Sequence, residues 1–125
     1  MNAEEAKNYL IQELCWPAFM VELGIRANFC CEYCGKNLLE SIEAYDSWQK
    51  DHIIPNGNDD LSNLALACKI CNFAKRHTDP TNRAKGTDRE SLIQAAKEII
   101  DERLAKKEEV LVKTRVAVQV LMNEK

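Results

Sequence analysis

Apolar residues recur at helical spacing before residue 29. Residues 3–15 carry acids in their first turn, and Asn2 precedes them as a candidate N-cap. Pro17 interrupts this stretch and suits the first turn of a second helix that runs to about Asn28. The pattern therefore predicts an outer layer of two helices.

The middle of the chain shows the alternation that short strands require. Residues 47–54 and 63–67 predict two strands, and the turn-forming residues 56–60 between them predict a hairpin. A short helical turn is expected at residues 38–45, and a helix is expected at residues 71–77.

A long helix is predicted near the end of the chain. Residues 87–90 match a capping box, and an apolar stripe typical of a core or an oligomer seam follows. Valines between Val110 and Val120 recur at even spacing, as in a strand. No glycine or proline separates them from the helix, so continued helix is favoured.

The six cysteines change this picture. Met1 is followed by an acidic helix and not by an apolar leader, which predicts a reducing, cytoplasmic setting where cysteine pairs bind metals more often than they form disulfides. Two Cys-x-x-Cys pairs have the spacing that places two thiolates at adjacent corners of a zinc tetrahedron. The predicted zinc ligands are Cys31, Cys34, Cys68 and Cys71. Cys30 is an alternative to Cys31, but its spacing to Cys34 is less suitable.

Length and composition complete the predicted fold. A chain of 125 residues fits one domain, and its aromatic content of 6% is too low for a large core, so a zinc site would supply stability. We predict a single α+β domain over residues 1–125. Its zinc-stapled core of β-hairpin plus helix (29–78) lies between helical flanks (1–28 and 79–125). No apolar run is long enough to cross a bilayer, so no membrane partner is expected.

Charge qualifies any role with nucleic acid. A net charge of −3 argues against a protein that coats nucleic acid by charge alone. A local basic island nevertheless follows Cys68. Its candidate phosphate contacts are Lys75, Arg76, Arg83 and Lys85. A solvated surface is the alternative for these four residues.

Several polar residues sit inside the cysteine frame. Their order is Cys-x-x-Cys, Asp51-His52-x-x-Pro, Asn63-Leu, and Cys-x-x-Cys-Asn-x-x-Lys. From about Phe29 to Lys75 this order resembles the HNH endonucleases, the ββα-metal class of nucleases. The resemblance implies that His52 is the general base, that Asn63 orients the His52 loop, and that Asp51 and Asn72 bind a catalytic divalent ion.

The residue types suit phosphodiester hydrolysis. Histidine titrates near neutrality, and a hard cation neutralises charge on a phosphate. Asn72 replaces the histidine that many members of the family carry, which favours Mg²⁺ or Mn²⁺ over Zn²⁺. His77 is a competing ligand, but it lies one and a half turns further along the helix and is expected to point elsewhere. Adjacent strand residues face opposite ways, so Asp51 and His52 should need a distorted strand end to share one phosphate.

The resemblance therefore implies a metal-dependent HNH endonuclease acting on DNA, and the acidic net charge favours a partner protein that supplies DNA affinity. Two alternatives stay open. One is a non-catalytic zinc module that binds nucleic acid or docks to a partner protein. The other is a thiol oxidoreductase that uses Cys31 and Cys34.

Overall fold

The computed structural model describes all residues from Met1 to Lys125. In chain order its regular elements are α1 (Ala3–Asn8), α2 (Ala18–Arg26), α3 (Ile42–Tyr45), β1 (Trp48–His52), β2 (Leu64–Cys68), α4 (Lys69–Lys75) and α5 (Arg89–Asn123). A π-helical turn, Tyr9–Glu13, continues α1, and a 3₁₀ turn, Leu61–Asn63, precedes β2. The fold is α+β with one antiparallel hairpin, as predicted.

The hairpin carries the core. β1 and β2 pair in antiparallel register, with Asp51 opposite Ala65 and His52 opposite Leu64. Every residue of β2 is buried, because α2 and α4 both contact this strand. Fully buried Leu23, Leu38, Ile53, Leu66 and Ile100 join the hairpin to the surrounding elements.

Aromatic residues are few but concentrated. Trp16, Phe29, Tyr45 and Trp48 form one cluster, in which the two tryptophan rings lie 4.9 Å apart. Gly24 makes room for it, because a Cβ there would lie 2.3 Å from the Phe29 ring. The cluster closes the N-terminal part of the chain over the start of β1.

Glu32, between Cys31 and Cys34, fastens the flanking helices to the hairpin. Its carboxylate accepts hydrogen bonds from the Leu66 backbone N–H and from the Arg89 guanidinium, both at 2.7 Å. Arg26 of α2 lies 3.7 Å from the same carboxylate. One acidic side chain therefore links α2, β2 and α5.

The long helix differs from the prediction at its start and agrees with it at its end. Asp88, not Thr87, is the N-cap, and its side chain accepts a hydrogen bond from the Ser91 N–H. The valine-rich stretch is helical to Asn123, as favoured above. Every residue from 105 to 125 is exposed. No helix is both long and apolar enough to span a membrane.

Candidate active site and metal centre

Four cysteine side chains meet beside the hairpin. The Sγ atoms of Cys31, Cys34, Cys68 and Cys71 all lie within 4.8 Å of one another. Cys34 and Cys68 Sγ are 3.8 Å apart, which is about the edge of a tetrahedron with Zn–S bonds of about 2.3 Å. Cys30 is not part of this cluster, since its Sγ points to the Asn28 carbonyl oxygen. The two-residue spacing chosen from the sequence is the one that the fold uses.

The close packing of these four thiols opposes the ionisation of all of them at once. Burial raises the pKa of the Cys34 thiol to about 11. Contacts with Cys31 and Cys68 raise the pKa of Cys71, whereas hydrogen bonds from Cys68 and Cys71 lower the pKa of Cys31. Four thiolates this close repel one another, and Zn²⁺ is the ion that allows all four to ionise. The cluster therefore fits a closed structural zinc site.

A cleft opens between the end of β1 and the outer face of α4. Asp51, His52, Asn72 and His77 all line it. β1 pairs regularly up to His52, so the distorted strand end expected from the sequence is absent. Both side chains nevertheless line the cleft.

Asn63 lies under the loop that follows His52. Its Oδ1 accepts a hydrogen bond from the Ile54 N–H at 3.0 Å, and its Nδ2 donates to the Ile54 and Asn58 carbonyls. Gly57 is required there, because an added Cβ would lie 2.7 Å from the Asn63 amide. This asparagine therefore fixes the loop between His52 and Asp59.

The four clustered cysteines and the residues that line the cleft lie in one stretch of the chain. A comparison with known protein families matches this stretch. Residues 31–78 match the family model of the HNH endonucleases. The resemblance seen in the sequence is thereby confirmed for this segment. Searches of curated proteins and of solved structures gave no match.

Within this HNH segment Asp51 is held by two buried partners. Its Oδ2 accepts a hydrogen bond from the Tyr33 hydroxyl at 2.6 Å and lies 3.2 Å from Lys75 Nζ. Burial and the charge of Asp51 raise the pKa of Tyr33, so the phenol stays a donor. Asp51 Oδ1 makes no hydrogen bond within the chain, which leaves this oxygen for a ligand in the cleft.

Lys75 does not contact solvent. Its side chain is fully buried, and Nζ donates to the His52 carbonyl at 3.0 Å besides pairing with Asp51. The expectation that Lys75 binds phosphate is therefore wrong. Lys75 lies four residues after the zinc ligand Cys71, hence on the same inward face of α4. That spacing is the signal from which its burial could have been predicted.

His52 has an acidic partner that sequence reasoning missed. Its Nε2 lies 2.6 Å from Oδ1 of Asp59, and the hydrogen bond lowers the pKa of that carboxyl group. With the imidazole neutral, a proton on Nε2 leaves Nδ1 with the free lone pair. Asp59 lies in the turn that the sequence predicted, but turn residues carry no signal of the contact they will make.

Two further residues face the cleft, one in α4 and one just after its end. Asn72 donates from Nδ2 to Gln49 Oε1 at 3.4 Å, which leaves its amide oxygen free. The expectation that His77 points elsewhere is wrong. The helix ends at Lys75, and Arg76, with φ of 52°, turns the chain so that His77 lines the same cleft.

The other basic residues separate in space. Arg76 lines the cleft, whereas Arg83 and Lys85 do not. Arg83 instead pairs with Glu102 at 2.7 Å, and this hydrogen bond raises its pKa. Contact of Arg83 and Lys85 with nucleic acid stays a prediction for a surface outside the cleft.

Proposed function

We propose that the chain is a metal-dependent endonuclease that hydrolyses phosphodiester bonds in DNA. The observation that carries the proposal is the convergence of Asp51, His52 and Asn72 on one cleft inside the matched HNH segment. In this proposal His52 is the general base and accepts a proton from the attacking water. Asp59 is a positioning residue that holds the imidazole through Nε2.

The donor set of the cleft fits a hard cation. Asp51 Oδ1 and the amide oxygen of Asn72 are both free of partners within the chain. Oxygen donors of this kind suit Mg²⁺ or Mn²⁺, which when bound would neutralise charge on the phosphate. The chain's own contribution is to place both oxygens, through Tyr33 and Lys75 behind Asp51 and through α4 behind Asn72.

Asn63 acts in this proposal through the loop and not on the substrate. By fixing the Ile54 and Asn58 backbone it sets the distance between His52 and Asp59. The zinc cluster holds the hairpin and α4 together from the other side. Four thiols in contact need a reducing compartment, which supports the cytoplasmic setting expected above.

Cleavage of supercoiled plasmid tests the proposal. The zinc-loaded protein should cut with Mg²⁺ or Mn²⁺ and should not cut when the divalent ion is omitted. His52→Ala should reduce the rate at least about 100-fold, the usual contribution of a general base. Asn72→His should keep cleavage and extend it to Zn²⁺ or Ni²⁺, because imidazole suits these ions. Undiminished cutting by His52→Ala would contradict the assigned base.

A non-catalytic zinc module is the second candidate function. The observation in its favour is the Lys75 ammonium, whose charge already balances that of Asp51 and opposes cation binding. Such a module would bind nucleic acid or dock to a partner protein. Stoichiometric zinc without cleavage of any DNA form, with either Mg²⁺ or Mn²⁺, would decide for it.

A further inference from the structure

A second groove runs between α4 and α5, next to the cleft. Its volume is about 690 Å³, and no carboxylate lines it. Its cationic side chains are Lys69, Arg76, Arg103 and Lys107. In a chain whose net charge is −3, a groove with four cations and no acid is selective for an anion.

An exposed aromatic ring stands at the mouth of this groove. The Phe73 side chain is 55% exposed and takes no part in the hydrophobic core. The guanidinium carbon of Arg76 lies 4.4 Å from the ring centroid, and Lys107 Nζ lies 5.3 Å from it. Packing therefore does not explain the ring, whereas its two flanking cations point to a ligand that joins an aromatic face to negative charge.

The groove and the cleft adjoin each other. Phe73 and Arg76 line both of them, so a polymer held at His52 passes the ring when it leaves the cleft towards α5. Lys107 lies beyond the ring on this path. Along this path His52 comes first, the Phe73 ring second and Lys107 third. An aromatic face therefore lies between two polar contacts, as a nucleobase lies between phosphates in a single nucleic-acid strand.

We propose that this groove is a single-strand subsite, in which an unpaired nucleobase stacks on Phe73 while Arg76 and Lys107 contact the flanking phosphates. The inference rests on the proposed nuclease function and adds its substrate class, DNA with an unpaired base beside the scissile phosphate. Every base has a π-face, so the subsite accepts any base. A continuous duplex does not offer that face, because its bases stack on one another.

Binding without cleavage tests this inference separately from the nuclease activity. The full-length His52→Ala protein, loaded with zinc and without added divalent ion, is titrated with a fluorescent single-stranded oligonucleotide and with the matching duplex. Single strand should bind more tightly. Adding Phe73→Leu should weaken single-strand binding about tenfold, and Phe73→Trp should preserve it. Ile70→Ala is the matched control, because Ile70 lines the same groove without a π-face.

Salt dependence tests the cations. Lys107→Gln should reduce the slope of log K against log salt by about 0.7, the value of one phosphate contact on a single strand. Lys106→Gln, at the exposed neighbouring position outside the groove, should leave the slope unchanged. Equal binding by the parent and Phe73→Leu proteins, or no preference for single strand over duplex, would overturn the subsite. Plasmid cleavage that persists in either case would leave the nuclease proposal intact.

Discussion

At the scale of single residues, the buried pair of Lys75 and Asp51 determines the back wall of the cleft. Their side chains are 0% and 6% exposed, and Tyr33 supplies a further hydrogen bond to Asp51. Removing one member of a buried pair leaves an uncompensated charge, which costs more than the pair itself contributes. The lysine is therefore a structural counter-ion for Asp51.

Lys75→Met should accordingly destabilise the protein by about 3–5 kcal/mol, measured as the free energy of unfolding in urea. Lys69→Met, on the exposed side of the same helix, should change it by no more than about 0.5 kcal/mol. Asp51→Asn combined with Lys75→Met should recover part of the loss, because no charge is then buried. A Lys75→Met protein as stable as its parent would show that the pair is not buried as described.

The contact between His52 and Asp59 should make the stability of the protein depend on pH. The hydrogen bond from His52 lowers the pKa of Asp59, so its contribution to stability is present above the ordinary carboxyl pKa. This contribution is lost as the pH falls through the lowered value. In a carbon-detected NMR titration, Asp59 should have a midpoint below that of an ordinary carboxyl group, and His52→Ala should raise it. Asp79 is the control, because hydrogen bonds from Thr81, and not from His52, lower its pKa.

Residue spacing predicted which four cysteines cluster, because a Cys-x-x-Cys turn constrains its own geometry. It did not predict Asp59 or Tyr33, because their roles depend on how a loop and a knuckle fold back onto β1. Lys75 was misread for a different reason. A lysine after the second cysteine pair suggests an exposed cation, whereas its spacing of four residues from Cys71 places it on the inward face of α4, where it is buried.

At the scale of elements, the cysteine cluster joins the segment before the hairpin to the start of α4. Cys31 and Cys34 lie before the hairpin, and Cys68 caps the N-terminus of α4, where it accepts the Cys71 N–H. The hairpin has only two strands, and a two-stranded sheet is marginal alone. A metal ion bound at the cluster would therefore support the whole βα unit.

Metal analysis of cysteine variants tests this arrangement. The parent and Cys30→Ser should each retain one zinc per chain, whereas Cys31→Ser should lose it, because only Cys31 belongs to the cluster. Circular dichroism should show a cooperative loss of structure in Cys31→Ser and little change in Cys30→Ser. Zinc retained by Cys31→Ser would place Cys30 among the ligands.

The sequence predicted the types of the helices and strands well, and their first and last residues less well. Strand alternation and the Asn56–Asp60 turn predict the hairpin because its register depends on nearby residues. The start of α5 shifted by one residue because Thr87 and Asp88 are both suitable caps, and the tertiary setting selected Asp88. The valines after residue 110 pack against nothing, so local continuity decided for helix.

At the scale of the whole molecule, the basic island of the sequence does not form one surface. Lys75 is buried, Arg89 pairs with Glu32, and Arg83 pairs with Glu102. The cationic groove arises instead when α5 brings Arg103 and Lys107 beside α4. A surface assembled from residues this far apart in the chain depends on tertiary docking and cannot be predicted from sequence.

The extent of α5 is also visible in solution. Its 35 residues span about 52 Å, and the part after Leu104 lies outside the core. A compact chain of this length has a radius of gyration of about 14 Å. Small-angle scattering should give a larger value, with a maximum dimension above about 50 Å. A chain shortened to residue 109 should return towards 14 Å. Scattering measured over a dilution series distinguishes the length of one chain from the association of several chains through the exposed valines.

The two residues between Cys31 and Cys34 have a consequence for sensitivity to oxidants. Glu32 holds the flanking helices, and Tyr33 holds Asp51. The closed knuckle holds both side chains in place, and a zinc ion bound at the cysteine cluster would keep the knuckle closed. Oxidation of the thiolates to disulfides, with release of zinc, should therefore loosen Asp51 without modifying any residue of the cleft. The protein would thus lose its cleft geometry under oxidative stress and regain it on reduction with zinc present.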